Sequence, residues 1–308
     1  MFNFLLILSL LSMILTSLVA VAFITLLERK ILGYMQIRLG PNKASFLGML
    51  QPMSDAIKLY TKEIAKPYSS NFMSFFFSPS LSLMLALMLW FSLPIFKPFI
   101  IMNMGLLMFM AILGMGVYPI LMAGWSSNSN FSLIGGMRAL AQTISYEVSL
   151  IFIILSNMIL NNSMDLFKTI CLQKSFMFLM FFFNFILWMI SCIAEVNRTP
   201  FDFAEGESEL VSGFNTEYSS GIFAMIFMAE YMMIIFFSTF SSMMFLGFSF
   251  YSVMFFISLM AFNFTFIWLR ATLPRYRYDL LMNLSWKKIL PASTFNIFFF
   301  NFLNLVTK

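Results

Sequence analysis

The sequence predicts an all-α polytopic membrane protein: one transmembrane domain over residues 1–308, with about eight transmembrane helices and a short interfacial amphipathic helix. Two observations predict this class. Of the 308 residues, 61% are hydrophobic and only 10% are charged, whereas roughly a quarter of an ordinary soluble domain is charged. The apolar residues also form runs of about 20, the length that a helix needs to cross a bilayer.

The predicted spans are separated by connections that hold most of the charge. By the positive-inside rule, connections rich in Lys and Arg face the inner compartment. Fourteen of the 18 basic residues fall in or beside the connections after the first, third, fifth and seventh spans. Both termini are therefore expected on the opposite, outer side. The predicted spans lie near residues 3–27, 72–96, 99–122, 138–160, 175–195, 219–246, 250–270 and 288–306.

The first inner-side loop, residues 28–71, contains a candidate interfacial helix at 52–63. It begins at Pro52, a residue that suits the first turn of a helix. The apolar positions Met53, Ala56, Ile57 and Tyr60 share one face at helical spacing, and Asp55, Lys58 and Lys62 share the other. Such spacing is typical of a helix that lies flat in the membrane interface, and a solvated loop is the alternative.

Two carboxyl groups, Glu147 and Glu230, lie inside predicted spans. An acid in a low-dielectric bundle is costly to ionise and usually marks a proton, ion or partner site. Glu230 is flanked by apolar residues for more than a turn on each side, so burial favours its protonated form. Glu147 follows a polar run that can hydrate a cavity. We expect both to exchange protons, and a structural hydrogen bond is the alternative role.

The acidic inner-side loop, residues 196–218, and its flanking residue Glu195 form the densest group of charges. One base, Arg198, lies among six acids. Mutual repulsion keeps some of these acids protonated near neutral pH and couples their titration. This behaviour suits a proton reservoir at the mouth of a channel, although an ordinary solvated loop has the same composition. The acids are Glu195, Asp202, Glu205, Glu207, Glu209 and Glu217.

The residue types that hold metals and haem are scarce. The chain has no histidine, which removes the usual haem ligand and the commonest ligand of catalytic zinc. Its two cysteines, Cys171 and Cys192, lack the C-x-x-C spacing of iron–sulfur and zinc sites and are expected to be buried apolar residues. The basic residues form no stripe along one helix, so nucleic-acid binding is not expected.

Four strings resemble signature segments of the NADH:ubiquinone oxidoreductase chain 1 family, the mitochondrially encoded membrane subunit of respiratory complex I. Their order and separation match that family from about residue 20 to residue 290. One departure is Leu39 after Arg38, where family members often carry a second basic residue. The strings are LLERKILGYMQIRLGPN at 26–42, AGWSSNSNFSLIGGMRALAQTISYEVSL at 123–150, AEVNRTPFDFAEGESELVSGFNTEYSSGIFAMIFMAEY at 194–231 and WLRATLPRYRYDLLM at 268–282.

The resemblance implies a core subunit of a proton-pumping enzyme, inactive alone, in the mitochondrial inner membrane, with both termini on the intermembrane-space side. Arg29, Asp55 and Phe227 match the quinone entry portal of the family. Acids of the family's path from the quinone chamber to the proton channels match Glu147, Glu195, Asp202, Glu205, Glu207, Glu217 and Glu230. Ubiquinone is then the substrate. This chain is expected to bind no cofactor and no metal, because NADH, FMN and the iron–sulfur clusters belong to partner subunits.

The expected partners are other complex I subunits, in both the membrane arm and the peripheral quinone module, together with membrane lipid. Two alternatives stay open. A related energy-converting hydrogenase has a homologous membrane subunit that shares the acidic loop, but the interfacial helix and the Phe- and Met-rich composition favour quinone chemistry. A stand-alone proton-coupled transporter would use Glu147 and Glu230 as its carriers and would move protons or solute in liposomes without partners.

Overall fold

A computed structural model describes residues 2–94, 104–173, 181–204, 206 and 212–307. Within these ranges the chain forms helices and no strand. Seven of the described helices are long and apolar enough to cross a membrane, and the described part of an eighth, Phe182–Glu195, is apolar but shorter. The predicted all-α polytopic class is therefore confirmed.

Twelve α-helices are numbered here in chain order over the described residues. A π-helical turn, Ser285–Ile289, joins the last two. The helices are α1 (Phe2–Met35), α2 (Gln51–Thr61), α3 (Phe72–Phe91), α4 (Gly105–Met115), α5 (Val117–Ser126), α6 (Asn130–Asn161), α7 (Leu166–Leu172), α8 (Phe182–Glu195), α9 (Ser220–Leu246), α10 (Val253–Thr272), α11 (Tyr278–Leu284) and α12 (Leu290–Thr307).

Several helices extend beyond the predicted apolar runs. The helix predicted from residue 138 begins at Asn130, so Arg138 lies inside α6 and not at its end. The last span begins at Tyr278 instead of residue 288, which places Lys287 and Lys288 inside the helical segment. Hydropathy marks the part of a helix that crosses the hydrocarbon core. The hydrogen-bonded backbone continues into the interface, where polar side chains are tolerated.

Two helices, α6 and α9, form the centre of the bundle. Over the most apolar window, 56% of each is buried, against 33% or less for the other long helices. Aromatic side chains fill the space between them and α8. Trp188 packs on Phe240 with ring centroids 5.3 Å apart. Beside this core, small residues let α5 pack closely against α6. The approach is so close that a Cβ at Gly124 would come within 2.9 Å of the Ser132 carbonyl oxygen.

The amphipathic helix predicted at 52–63 is α2, Gln51–Thr61. It contacts α1 and α9, yet none of its residues is buried. Its apolar side chains Met53, Ile57 and Tyr60 are all more than half exposed. A surface helix with an exposed apolar face is suited to lie against lipid, and its place in the membrane interface stays a prediction.

The prediction for the two cysteines is half right. Cys192 is buried in α8, but Cys171 is exposed in α7. The predicted spans leave residues 161–174 without a helix. The short helix Leu166–Leu172, and the exposed position of Cys171 on it, are therefore not indicated by the sequence pattern.

Candidate functional site

A cavity of about 450 Å³, the portal cavity, lies between α1, α2 and α9. All three residues predicted for the quinone portal, Arg29, Asp55 and Phe227, line it. The Arg29 guanidinium donates to the Asp55 carboxylate and so ties α1 to α2. These two side chains are 49% and 32% exposed, which places the ion pair at the surface. The structure thus brings the predicted portal residues into one cavity.

The portal cavity has an apolar wall and a charged rim. The wall is formed by side chains from α1 and α9, including Leu18, Val21 and Met228. Lys58 of α2 and Lys62, the residue just after α2, line the cavity beside Asp55. A polar end next to an apolar trough suits an amphiphilic ligand with a polar head and a long hydrocarbon tail.

A second cavity of about 110 Å³, the acid cavity, lies among α3 to α6, α9 and the end of α8. Glu195 and Glu230 both line it. The Glu147 side chain extends from α6 to α4 and lies against Gly114. A Cβ on Gly114 would be only 2.7 Å from Glu147 Oε1. The charges of Glu147 and Glu195 interact. Two predicted acids from separate segments therefore line one cavity, and Glu147 lies outside its lining but close to Glu195.

The loop after α8 is held in place by backbone contacts with α6. Gln142 Nε2 donates to the carbonyl oxygens of Ala194 at 2.7 Å and Phe201 at 2.8 Å. Farther along, Gly213 has a positive φ of 58°. A Cβ on Gly135 would lie 2.9 Å from its Cα, so the acidic loop returns in direct backbone contact with α6.

Two oxygens beside the acid cavity find no protein donor within the described residues. They are Glu195 Oε2 and Asn197 Oδ1, both buried, and both residues line the cavity. Buried polar atoms are almost always hydrogen-bonded, to protein or to ordered water. Most of the cavity lining is apolar, but its volume has room for several water molecules, and Glu195, Asn197 and Glu230 supply polar partners for them.

A charge cluster, named here the arginine cluster, is built around the buried carboxylate of Glu28, with Arg198 largely buried and the Arg270 side chain 38% exposed. It consists of Glu28, Arg198, Arg270 and Tyr231. Arg198 Nη1 donates to Glu28 Oε1 at 2.8 Å, Arg270 donates to the same oxygen, and the Arg198 guanidinium carbon lies 4.4 Å from the centroid of the Tyr231 ring. Two guanidinium groups share one carboxylate, which leaves an excess of positive charge.

The arginine cluster connects electrostatically to both cavities. Tyr231 lines the portal cavity. Burial alone lowers the pKa of Arg198, but the negative charges of Glu28 and Glu230 outweigh it and hold that pKa above its usual value. Because Glu230 lines the acid cavity, a change of charge at the portal can act on this buried acid through Tyr231 and Arg198.

The arginine cluster has no local signature in the sequence. The sequence predicts Arg198 as the one base of the acidic loop, and Arg270 is one of the basic residues of the inner-side connections. Glu28 is separated by 170 residues from Arg198 and by 242 from Arg270, so no local pattern joins them. The available signal was a carboxylate at the end of an apolar run, which needs a buried partner.

The remaining predicted acids are placed differently. Asp202 lies outside both cavities, and its Oδ2 accepts from Arg275 Nη2 at 3.2 Å. Glu217 is half-buried in the turn before α9 and lines neither cavity. Glu205 and Glu207 lie outside the described residues. Among the residues that the structure describes, no group of three His, Cys, Asp or Glu side chains is arranged to hold a metal ion.

The fold and the site define a class: a multi-pass membrane protein with a portal cavity on one side of its bundle and an internal cavity of carboxyl groups. The match to known proteins is specific. The family described as NADH dehydrogenase matches residues 8–301. The chain is 54% identical over 283 residues to NADH-ubiquinone oxidoreductase chain 1 of Aedes aegypti, an alignment that covers 92% of this chain and 90% of the relative.

Other relatives carry the same name. Identity is 50% over 298 residues to the Locusta migratoria protein, covering 96% of this chain and 95% of that one. It is 47% over 284 residues to the Phascolarctos cinereus protein, covering 90% and 89%. The chain belongs to the NADH dehydrogenase family and is a membrane subunit of NADH-ubiquinone oxidoreductase, complex I. Other subunits of that enzyme are therefore its partners.

Proposed function

We propose that this subunit forms the quinone entry path of complex I in the mitochondrial inner membrane and couples quinone reduction to proton translocation. The placement of Glu195 and Glu230 in the lining of one internal cavity, with Glu147 close by and a charge cluster that connects to both cavities, carries the proposal. Carboxyl groups in a membrane bundle are costly, and a path for protons is a sufficient reason to keep them.

The portal cavity admits the quinone in this proposal. Its tail lies along the apolar wall near Leu18, Val21 and Met228, and its head passes the Arg29–Asp55 pair. Because α2 closes one side of the cavity without burying any residue, small displacements of α2 change the width of the entrance. Electrons reach the quinone from iron–sulfur clusters in partner subunits, and this chain supplies the passage and the charges.

The arginine cluster transmits the change of charge. A reduced or anionic quinone near Tyr231 competes with Glu28 and Glu230 for the positive charge of Arg198. When Arg198 stabilises the negative charge of Glu230 less strongly, the protonated form of Glu230 is favoured. The coupled carboxyl groups then exchange protons with water in the acid cavity and with the next subunit of the membrane arm.

The acidic loop lies at the end of the bundle where the predicted inner-side connections meet. In the proposed orientation both termini face the intermembrane space, and the loop contacts the peripheral quinone-module subunits. The predicted acids of this loop, Asp202, Glu205, Glu207 and Glu217, are then proposed as the mouth of the proton path; of these, Asp202 and Glu217 lie in the described residues and outside the acid cavity.

Substitution of Glu230 by Gln in the assembled enzyme tests this function. Because Gln keeps the volume and removes the titratable proton, quinone-coupled proton pumping should fall by about 100-fold or more. NADH oxidation by an artificial electron acceptor should continue, since it takes place in partner subunits. The control is Glu63→Gln, an exposed acid just after α2, which should pump normally. Normal pumping by the Glu230→Gln enzyme refutes the coupling role.

A further inference from the structure

Buried hydroxyl groups connect α3, α5 and the turn before α9. The Tyr218 hydroxyl lies 3.0 Å from Ser78 Oγ and 3.3 Å from Ser126 Oγ, and either partner can donate. All three side chains are less than a tenth exposed. The ring of Tyr218 is fixed by parallel stacking on Phe75, with centroids 4.3 Å apart. Because Ser78 lines the acid cavity, this triad opens onto the cavity that Glu195 and Glu230 also line.

A second set of hydroxyls continues from the triad toward the surface. Ser127 Oγ donates to Ser132 Oγ at 2.7 Å, and Ser129 Oγ donates to the same atom at 2.8 Å. Ser127 and Ser132 are fully buried, whereas Ser129 is half-exposed at the start of α6. The set therefore ends at the face of the bundle that carries the acidic loop.

The two sets meet at a single backbone atom. The hydroxyl oxygens of Tyr218 and Ser127 both lie within hydrogen-bond distance of the carbonyl oxygen of Ala123, at 3.4 Å and 3.1 Å, and each hydroxyl can donate there instead of to a neighbouring hydroxyl. A carbonyl oxygen does not relay protons, so one water molecule between Ser126 and Ser127 is needed to make the series continuous. Each hydroxyl in such a series can accept one proton while it donates another.

We propose that these hydroxyls, Ser129, Ser132, Ser127, Ser126, Tyr218 and Ser78, form a proton passage from the surface to the acid cavity, distinct from the acidic loop. The proposal rests on the proton-coupling function of that cavity. A hydronium ion at the surface gives its proton to Ser129, each hydroxyl passes its own proton inward, and the last proton joins a carboxylate. For this inward transfer the Ser127 hydroxyl must first turn from Ser132 to the bridging water, so that Ser132 can donate to Ser127, and water in the acid cavity must carry the proton from Ser78 to the carboxylate. The hydroxyls and the water molecules then rotate back, so no charge remains on the passage.

Tyr218 acts in this passage as a neutral phenol. Burial raises its pKa above the usual value, and the hydrogen bonds from Ser126 and Ser78 oppose that shift only in part. The phenol therefore does not ionise near neutral pH, and it moves protons by exchange through its hydroxyl. Phe at this position keeps the stacking on Phe75 and interrupts the relay.

The test is the assembled enzyme with Tyr218→Phe, and separately with Ser78→Ala. Each should lower quinone-coupled turnover about fivefold per assembled enzyme and increase the ratio of rates in H₂O and D₂O, because proton delivery becomes limiting. NADH oxidation by an artificial acceptor should stay unchanged. Ser78→Thr, which restores a hydroxyl, should recover most of the turnover.

The matched controls are Tyr68→Phe, a fully exposed tyrosine, and Ser80→Ala, an exposed serine that bonds only to its own helix at the Phe77 carbonyl. Both should behave as the parent enzyme. Parental turnover and isotope ratio for Tyr218→Phe overturn the passage. A Tyr218→Phe variant that yields less assembled enzyme, but whose assembled fraction is fully active, also overturns the passage. That result assigns the hydroxyls to helix packing.

The outcomes separate this inference from the proposed function. If Glu230→Gln stops pumping while Tyr218→Phe pumps normally, the acid cavity works and its protons enter elsewhere, so only the hydroxyl passage is refuted. If Glu230→Gln pumps normally, the coupling function itself is refuted.

Discussion

The portal cavity and the acid cavity hold their charges in opposite ways. At the portal, Arg29 and Asp55 are paired at the surface, where an ion pair contributes about 0–1 kcal/mol. In the acid cavity, Glu195 is buried, and one of its oxygens has no protein donor within the described residues. Charge near solvent can change at little cost, whereas charge in the bundle responds strongly to its neighbours. The first arrangement suits passage of a ligand and the second suits coupling to protons.

The largest expected effect comes from breaking the arginine cluster, which connects to both cavities. Glu28→Gln leaves Arg198 and Arg270 without their shared carboxylate. Removal of one partner from a buried ion pair destabilises a protein by about 3–5 kcal/mol. The amount of assembled complex on a native gel should therefore fall severely. Asp55→Asn, which breaks the exposed portal pair, is the control and should assemble normally. Equal assembly of both variants contradicts the contrast between surface and buried pairs.

A smaller effect should follow from crowding Glu147. Gly114→Ala places a methyl group 2.7 Å from Glu147 Oε1, closer than the two atoms can approach, so the carboxyl must move. Because displacements of about 1 Å at a reacting group cost one to two orders of magnitude in rate, we expect quinone-coupled turnover to fall about tenfold.

The control for this variant is Gly221→Ala, whose added methyl meets only the ring of Tyr60 at 3.4 Å. Turnover per assembled enzyme is the measurement. A Gly114→Ala enzyme as fast as the Gly221→Ala enzyme shows that the position of Glu147 is unimportant.

The smallest effect is expected at the portal. Arg29→Ala removes an exposed pair and one charged rim residue. The apparent KM for quinone should rise about threefold with little change in kcat, as expected for an interaction made equally in the ground and transition states. Steady-state kinetics of the assembled enzyme check this, with Lys43→Ala, an exposed residue outside both cavities, as control. Unchanged KM removes Arg29 from the entrance.

The spans and α2 could be predicted because they depend on local periodicity. Apolar runs of sufficient length and the spacing around Asp55 are visible in any window of the sequence. Glu230 was predictable for a related reason, since a carboxyl group within a long apolar run has few structural explanations. The helix ends were less predictable, as for Arg138, because helices continue past the hydrocarbon core.

The contacts that organise the site were beyond such patterns. Tyr218 looks like an ordinary aromatic residue before a helix, and serines in membrane helices commonly bond their own backbone. Only the packing of α3 against α5 and α9 brings Ser78 and Ser126 to its hydroxyl. Glu28 likewise needs the whole chain to reach its partners. Long-range placement of polar atoms, and not their identity, is what the sequence alone leaves undetermined.

The sharing of Glu28 by two distant arginines has a consequence for biogenesis. The carboxylate is synthesised early, whereas Arg198 follows 170 residues later and Arg270 follows 242 residues later. Until the sixth of the seven long described helices is inserted, the carboxylate of the first one lacks one of its two arginine partners. We therefore expect a nascent product that terminates before Arg270 to hold its first helix less firmly than the finished chain does.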